Sequence, residues 1–223
     1  RELAHKLGPL VSYSTGQPQL LSLLKQVFGY TEFRPHQAEI IRDALGGRDV
    51  FALLPTGGGK SLCFQLPALA RPGLTVVISP LIALMQDQVG ALHEVGVEAA
   101  FLNSTLSGEA AYEVEQRLRR AEFTLLYAAP ERVTNGRFLA QMDSLLERGL
   151  LSLFAIDEAH CVSQWGHDFR PDYQRLGEIR RQLGNVPCLA LTATATPQVQ
   201  TDIRTVDKAV FLDQVGFSQL VLA

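Results

Sequence analysis

Short apolar runs alternate with longer stretches of helical periodicity along most of this chain. "PQLLSLLKQVFGY" carries apolar residues at helical spacing, and Gly29 fits its stop. "RPHQAEIIRDALGG" predicts a second helix, with Pro35 near its start and two glycines at its end. "DVFALL" is short, apolar and bounded by turn residues, as a buried strand should be. Five further runs, "LTVVIS", "VEAAFL", "FTLLYA", "LFAID" and "VPCLALTAT", share that character. Between them, stretches such as "LIALMQDQVGALHEVG" and "SGEAAYEVEQRLRRAE" have the helical period. Strand–helix alternation predicts an α/β domain with a mostly parallel central sheet and helices on both faces. The apolar runs barely alternate, which fits strands covered on both sides. Residues 1–17 read as a loose lead-in, 18–206 as one domain, and 207–223 as a segment that starts polar and then offers one or two strand-like runs.

Composition narrows the class. The 223 residues are 47% hydrophobic and 19% charged, which suffices for one large core. Net charge is −3, so no whole-molecule basic field draws nucleic acid; any such contact needs a local patch or a partner domain. Three widely spaced cysteines, Cys63, Cys161 and Cys188, predict a reducing compartment and no zinc site. No apolar run reaches the ~18 residues of a membrane span, so no membrane partner is expected. The reading is of a cytoplasmic protein.

Two segments carry chemistry. "FALLPTGGGKS" follows a predicted strand and opens a helix, the context of a phosphate-binding loop. Thr56, Gly57, Gly58 and Gly59 would bring backbone N–H groups onto phosphate oxygens, aided by the helix N-terminus. Lys60 would reach the β and γ phosphates, and Ser61 would hold Mg²⁺. Leu54 stands where the strict phosphate-loop pattern has its first Gly; a flexible Gly-rich turn beside an exposed Lys is the bland alternative. The second segment, "LFAIDEAH", is an apolar strand ending in carboxylates, where ligands of open α/β sheets bind. Asp157 would hold the Mg²⁺ through water, and Glu158 would orient and deprotonate the attacking water. Alone, the pair could equally be an acidic turn with Asp157 capping a helix. His160 reads as a relay between the nucleotide and neighbouring segments, or as an ordinary histidine. Cys161 reads as packing.

The chain resembles the first RecA-like motor domain of RecQ-family DNA helicases, in helicase superfamily 2. The motifs that carry the resemblance stand in family order: "FGYTEFRPHQAEII", "LLPTGGGKS", "ISPLIALMQDQV", "NST", "YAAPER", "DEAHCVSQWGHDFRPDY" and "LTATAT". The resemblance runs from about residue 18 to about 204 and accounts for Leu54. It implies a RecA-like P-loop NTPase fold, ATP and Mg²⁺ as cofactors, and ATP-dependent 3′-to-5′ DNA unwinding in recombination and repair. Tyr30 would stack on adenine, Gln37 would pair with its edge, and Arg34 would lie against the nucleotide; as plain sequence, Tyr30 and Arg34 could be ordinary surface residues. "LTATAT" would couple nucleotide state to DNA.

The "SQWGHDFRP" run separates this family from other members of the superfamily. It implies a loop that senses single-stranded DNA, with Trp165, Phe169 and Arg170 responding to DNA and Gln164 and His167 linking back to the nucleotide. Aromatic faces beside a backbone groove hold a single strand without reading sequence, at ~1–3 kcal/mol per stacked base. The alternative is a satellite apolar cluster under a long loop. Backbone-phosphate contacts fall to Ser79, Leu81, Asn103, Ser104, Thr105 and Arg132, while Arg117 to Arg120 read as a solvated helix face. The expected partners are single-stranded and partially duplex DNA, and a second RecA-like domain carrying an arginine finger. No second domain is found in this chain, and "GFSQLVLA" matches the family's passage into that domain poorly. Nearly no turnover is therefore expected of this chain alone. The compartment would be the bacterial cytoplasm, at the nucleoid, or a eukaryotic nucleus. Two alternatives stay open: a nucleotide-dependent binding module, and a related ATPase acting on RNA.

Overall fold

The computed structural model describes residues 17–163, 170–176, 186–200 and 219–222, with 179, 182 and 184 as isolated positions. In chain order the elements are α1 (Gln17–Phe28), α2 (Gln37–Leu45), β1 (Val50–Leu53), α3 (Leu62–Ala70), β2 (Leu74–Ile78), α4 (Ile82–Glu94) and β3 (Ala99–Leu102). Then come α5 (Gly108–Arg119), β4 (Leu125–Ala128), α6 (Pro130–Val133), α7 (Gly136–Glu147) and β5 (Leu151–Ile156). A 3₁₀ turn (Ala159–Val162), α8 (Pro171–Gln174), β6 (Cys188–Thr192) and β7 (Gln219–Leu222) follow. Every apolar run of the sequence reading is a strand.

The seven strands form one sheet in the order β3-β4-β2-β5-β6-β1-β7. Every pairing in it is parallel, as strand–helix alternation demands. β2, β4, β5 and β6 are buried at every position, which is why their sequences do not alternate. One apolar cluster joins the sheet to Ile40, Phe64, Met85, Val89 and Leu92, from α2, α3 and α4. The other joins it to Leu118, Phe138, Met142 and Leu145, from α5 and α7. Helices therefore cover both faces. α1 lies outside them, with Leu20 and Leu24 packed against Ile41, Leu62 and Leu66.

Local chemistry sets several boundaries. Gly29 has φ 75°, a left-handed stop for α1. The second helix begins at Gln37, later than the sequence suggests, because His36 has φ 66° and breaks the helical path. Asp49, buried just before β1, accepts the Cys188 N–H at 2.6 Å and ties the start of β6 to that of β1. The strand-like run near the C-terminus supplies β7, which pairs with β1 from Val50↔Gln219 to Leu53↔Leu222.

Candidate nucleotide and nucleic-acid site

The carboxyl end of β1 runs into the Gly-rich loop. Leu54 is buried and donates its N–H to the Thr192 carbonyl at 3.0 Å, so the loop starts from a fixed point on β6. A Gly is not needed there. Gly57 and Gly59 have φ 79° and 77°, which glycine adopts without cost. Gly58 turns back on Pro55 at 2.8 Å from N–H to carbonyl, and a Cβ on Gly58 would meet that carbonyl at the same 2.8 Å. The glycines thus shape a tight concave backbone, with Thr56 exposed and Lys60 and Ser61 half-buried at its end. α3 begins at Leu62, directly after Ser61.

Gln37 is buried beneath this loop. Its Oε1 accepts the Arg34 N–H at 2.9 Å, and its Nε2 donates to the carbonyls of Gly59 at 3.1 Å and Gly58 at 3.4 Å. The amide expected to pair with adenine therefore bridges the Arg34 turn and the glycine loop. Arg34 is exposed, and Tyr30 is 56% exposed, a large aromatic face open to solvent.

Asp157 follows β5 and is 4% exposed. Burial, then the neighbouring Glu158 charge, pushes its pKa up to about 6, while the Glu158 N–H, Lys60 and His160 pull it back. The Lys60 charge thus acts on the carboxylate, and both motifs stand at the carboxyl end of the sheet. Asp157 Oδ1 accepts the Glu158 N–H at 3.0 Å. Glu158 itself sits at φ 51° and ψ 47°, left-handed for a residue with a side chain. Such strain costs ~1–3 kcal/mol and persists where the surroundings fix it. His160 is buried between two partners: Nδ1 lies 2.9 Å from Thr192 Oγ1 and 3.4 Å from Glu158 Oε2. Its pKa is pushed up to about 9, first by the Cys161 contact and next by Glu158. Thr192 in turn donates to the Thr194 carbonyl at 3.1 Å, so His160 joins the acidic turn to the "LTATAT" segment. The donor set of Ser61 hydroxyl and Asp157 carboxylate is hard oxygen, and it fits Mg²⁺.

Two glutamines escaped the sequence reading. Gln88 on α4 donates to Ser61 Oγ at 2.9 Å. Gln65 on α3 donates to the Tyr127 hydroxyl at 3.0 Å and to Gln88 Oε1 at 3.5 Å. Nothing in the spacing of amides along a helix singles them out. "MQDQ" offers Gln86 and Gln88 alike, and Gln86 instead reaches Thr105.

The backbone-contact candidates gather at the carboxyl ends of β2, β3 and β4. Arg132 donates to the Asn103 carbonyl at 3.0 Å, and Asn103 Oδ1 accepts both the N–H and the hydroxyl of Thr105. Ser79 and Asn103 are buried, whereas Leu81, Ser104 and Thr105 are exposed. Gln164, Trp165, His167 and Phe169 lie outside the described residues. Arg170 is exposed and donates its N–H to the Cys161 carbonyl at 3.0 Å. Tyr173, at the end of the run that begins at Asp157, belongs to the core. Its ring is fully buried and its hydroxyl donates to the Asp157 carbonyl at 3.0 Å. In the basic run, Arg117 pairs with Glu98 and Glu122 and covers the Phe123 ring at 4.5 Å, while Arg119 and Arg120 face solvent.

With this geometry in place, residues 34–203 match the DEAD/DEAH box helicase family. The chain is 52% identical over 186 residues to "ATP-dependent DNA helicase Q5" of Rattus norvegicus, covering 82% of this chain and 19% of that protein. It is 48% identical over 196 residues to "ATP-dependent DNA helicase RecQ" of Haemophilus influenzae, covering 88% of this chain and 31% of that protein. The chain thus spans under a third of these relatives' length. Its fold is similar to that of a hypothetical ATP-dependent RNA helicase from Sulfolobus tokodaii, with a TM-score of 0.64 at 21% identity over 93% of this chain and 57% of that one. The chain belongs to the DEAD/DEAH box helicases, as a RecQ-type, RecA-like motor domain.

Proposed function

We propose that this chain is the ATP-binding motor domain of an ATP-dependent 3′-to-5′ DNA helicase that acts in recombination and repair. What supports it is that the glycine loop with Lys60 and Ser61 follows β1 and the turn with Asp157 and Glu158 follows β5, both at the carboxyl end of one parallel sheet, with the Lys60 charge felt by Asp157. Names such as ATP-dependent DNA helicase among relatives near half identity support the substrate and the energy source. The compartment that suits this role is the cytoplasm or the nucleus; among the described residues no helix is long and apolar enough to cross a membrane.

Bound ATP supplies the transferable γ-phosphoryl, and Mg²⁺ neutralises its charge. The glycine-loop N–H groups cradle the phosphates and Lys60 reaches their terminal oxygens. Ser61 and Asp157 hold the cation, directly or through water. Glu158 orients the attacking water and takes its proton. His160 ties that turn to Thr192, so that the acidic turn and the "LTATAT" segment move together. Tyr30 stacks on adenine and Arg34 lies against the nucleotide. Gln37 reads the base once its amide leaves the loop carbonyls. Single-stranded DNA tracks over Ser104, Thr105, Leu81 and Arg132, with Ser79 and Asn103 shaping the loops from below. It reaches Trp165, Phe169 and Arg170, with Gln164 and His167 as links to the nucleotide. A second RecA-like domain would supply an arginine finger, worth ~10³–10⁵ in rate.

Glu158→Gln is the test, made in protein that carries both motor domains and read as ATP hydrolysis with single-stranded DNA. Turnover should fall by about 10²-fold or more while ATP binding holds. Undiminished turnover would remove Glu158 from the chemistry. Equal stimulation by RNA would redirect the substrate.

A further inference from the structure

We infer that Gln88 is the positioning residue of the metal-binding serine: it fixes the Ser61 hydroxyl and so sets how tightly the nucleotide's Mg²⁺ is held. The inference rests on the reading that Ser61 is a Mg²⁺ ligand.

A serine hydroxyl has one donor and two acceptor positions, and it rotates freely unless a partner claims one of them. Gln88 Nε2 donates to Ser61 Oγ at 2.9 Å and so occupies one acceptor position. The other lone pair and the O–H are left with defined directions, one for a cation and one for a phosphate oxygen. Gln88 is itself held: its Oε1 faces Gln65 Nε2 at 3.5 Å, and Gln65 Nε2 donates to Tyr127 Oη at 3.0 Å. Tyr127 is fully buried, with its ring edge-on to Phe64 at 6.1 Å between centroids. The chain Tyr127–Gln65–Gln88–Ser61 thus runs from β4 through α3 and α4 to the end of the glycine loop. No link of it depends on the loop's own backbone.

This arrangement has the logic of an outer-shell partner, whose loss typically costs ~10–100-fold in metal affinity while the ligand itself remains. A residue that served only packing would not distinguish nucleotide with cation from nucleotide without it. Gln88 also lies on the helix that follows Ser79 and Leu81, so the serine is oriented from the element beside the proposed DNA face.

The experiment is fluorescent-ATP binding to this chain, titrated with Mg²⁺ and repeated in EDTA, for wild type, Gln88→Ala, Gln88→Met and Ser61→Ala. Met keeps the volume and drops the donor, so it covers the case in which the Ala variant folds poorly. Both Gln88 variants should need about tenfold more Mg²⁺ at the midpoint, with binding in EDTA unchanged. Adding Gln88→Ala to Ser61→Ala should shift the midpoint no further, since both act through one hydroxyl. An unchanged or lowered midpoint, or equal loss in EDTA, would overturn the inference. If Mg²⁺ leaves wild-type binding unaffected, the reading of Ser61 as a metal ligand falls instead.

Discussion

Asp157 shows what the site costs the fold. It is buried beside Glu158, and its pKa is raised from an ordinary 3.8 to about 6. A raised carboxyl pKa means the folded chain prefers the protonated form. The penalty is absent below pH 3.8, grows between 3.8 and about 6, and is full above that. Asp157→Asn should therefore stabilise the metal-free chain at pH 7.5, by about 2–6 °C in thermal unfolding, with the gain shrinking as the pH falls toward 4.5. A loss of stability at every pH would mean that the native carboxylate is fully partnered without metal. The same variant should lose Mg²⁺-dependent ATP binding. Residue types and spacing single out Lys60, Ser61, Asp157 and Glu158 as candidates in the sequence. The left-handed backbone of Glu158 was not legible there, because nothing in "DEAH" marks a side-chain residue for a conformation that glycine usually takes.

At the scale of elements, the strands were legible because burial on both faces writes continuous apolar runs. Helix ends were less so: His36 breaks the path of α2 by a backbone angle that its side chain does not announce. Long-range polar ties were invisible. Asp49 stands 139 residues from the Cys188 N–H it accepts, and sequence offers no register for such a pair. That bond closes β1 against β6, the two strands that lead to the glycine loop and to Thr192. Asp49→Ala leaves a buried N–H without this acceptor and should cost about 2–3 kcal/mol in chemical denaturation, with Asn, which can still accept, costing less. Equal effects of Ala and Asn would mean that the carboxylate's charge, not its acceptor oxygen, holds the strands. Tyr173 teaches the same lesson at shorter range. It stands among polar residues in the sequence, yet it is core and anchors the Asp157 carbonyl.

The described residues form a seven-stranded parallel sheet with the candidate site residues at the carboxyl ends of the strands. That placement follows from topology: parallel strands send every strand-to-helix loop to one edge, so motifs far apart in sequence meet there. The glycine loop, the acidic turn, the end of "LTATAT" and the loops after β2, β3 and β4 are all such connections. With a net charge of −3, the proposed DNA contacts would have to come from a local face or from a partner domain. On the proposed function, this edge binds Mg²⁺·ATP through Lys60. Calorimetric titration of the chain with ATP and Mg²⁺, beside Lys60→Ala, is the decisive experiment. Wild type should bind at one site per chain, and the substitution should weaken binding about 30-fold or more, the scale on which removing one member of a buried charge pair acts. Equal binding by the two proteins would contradict that reading.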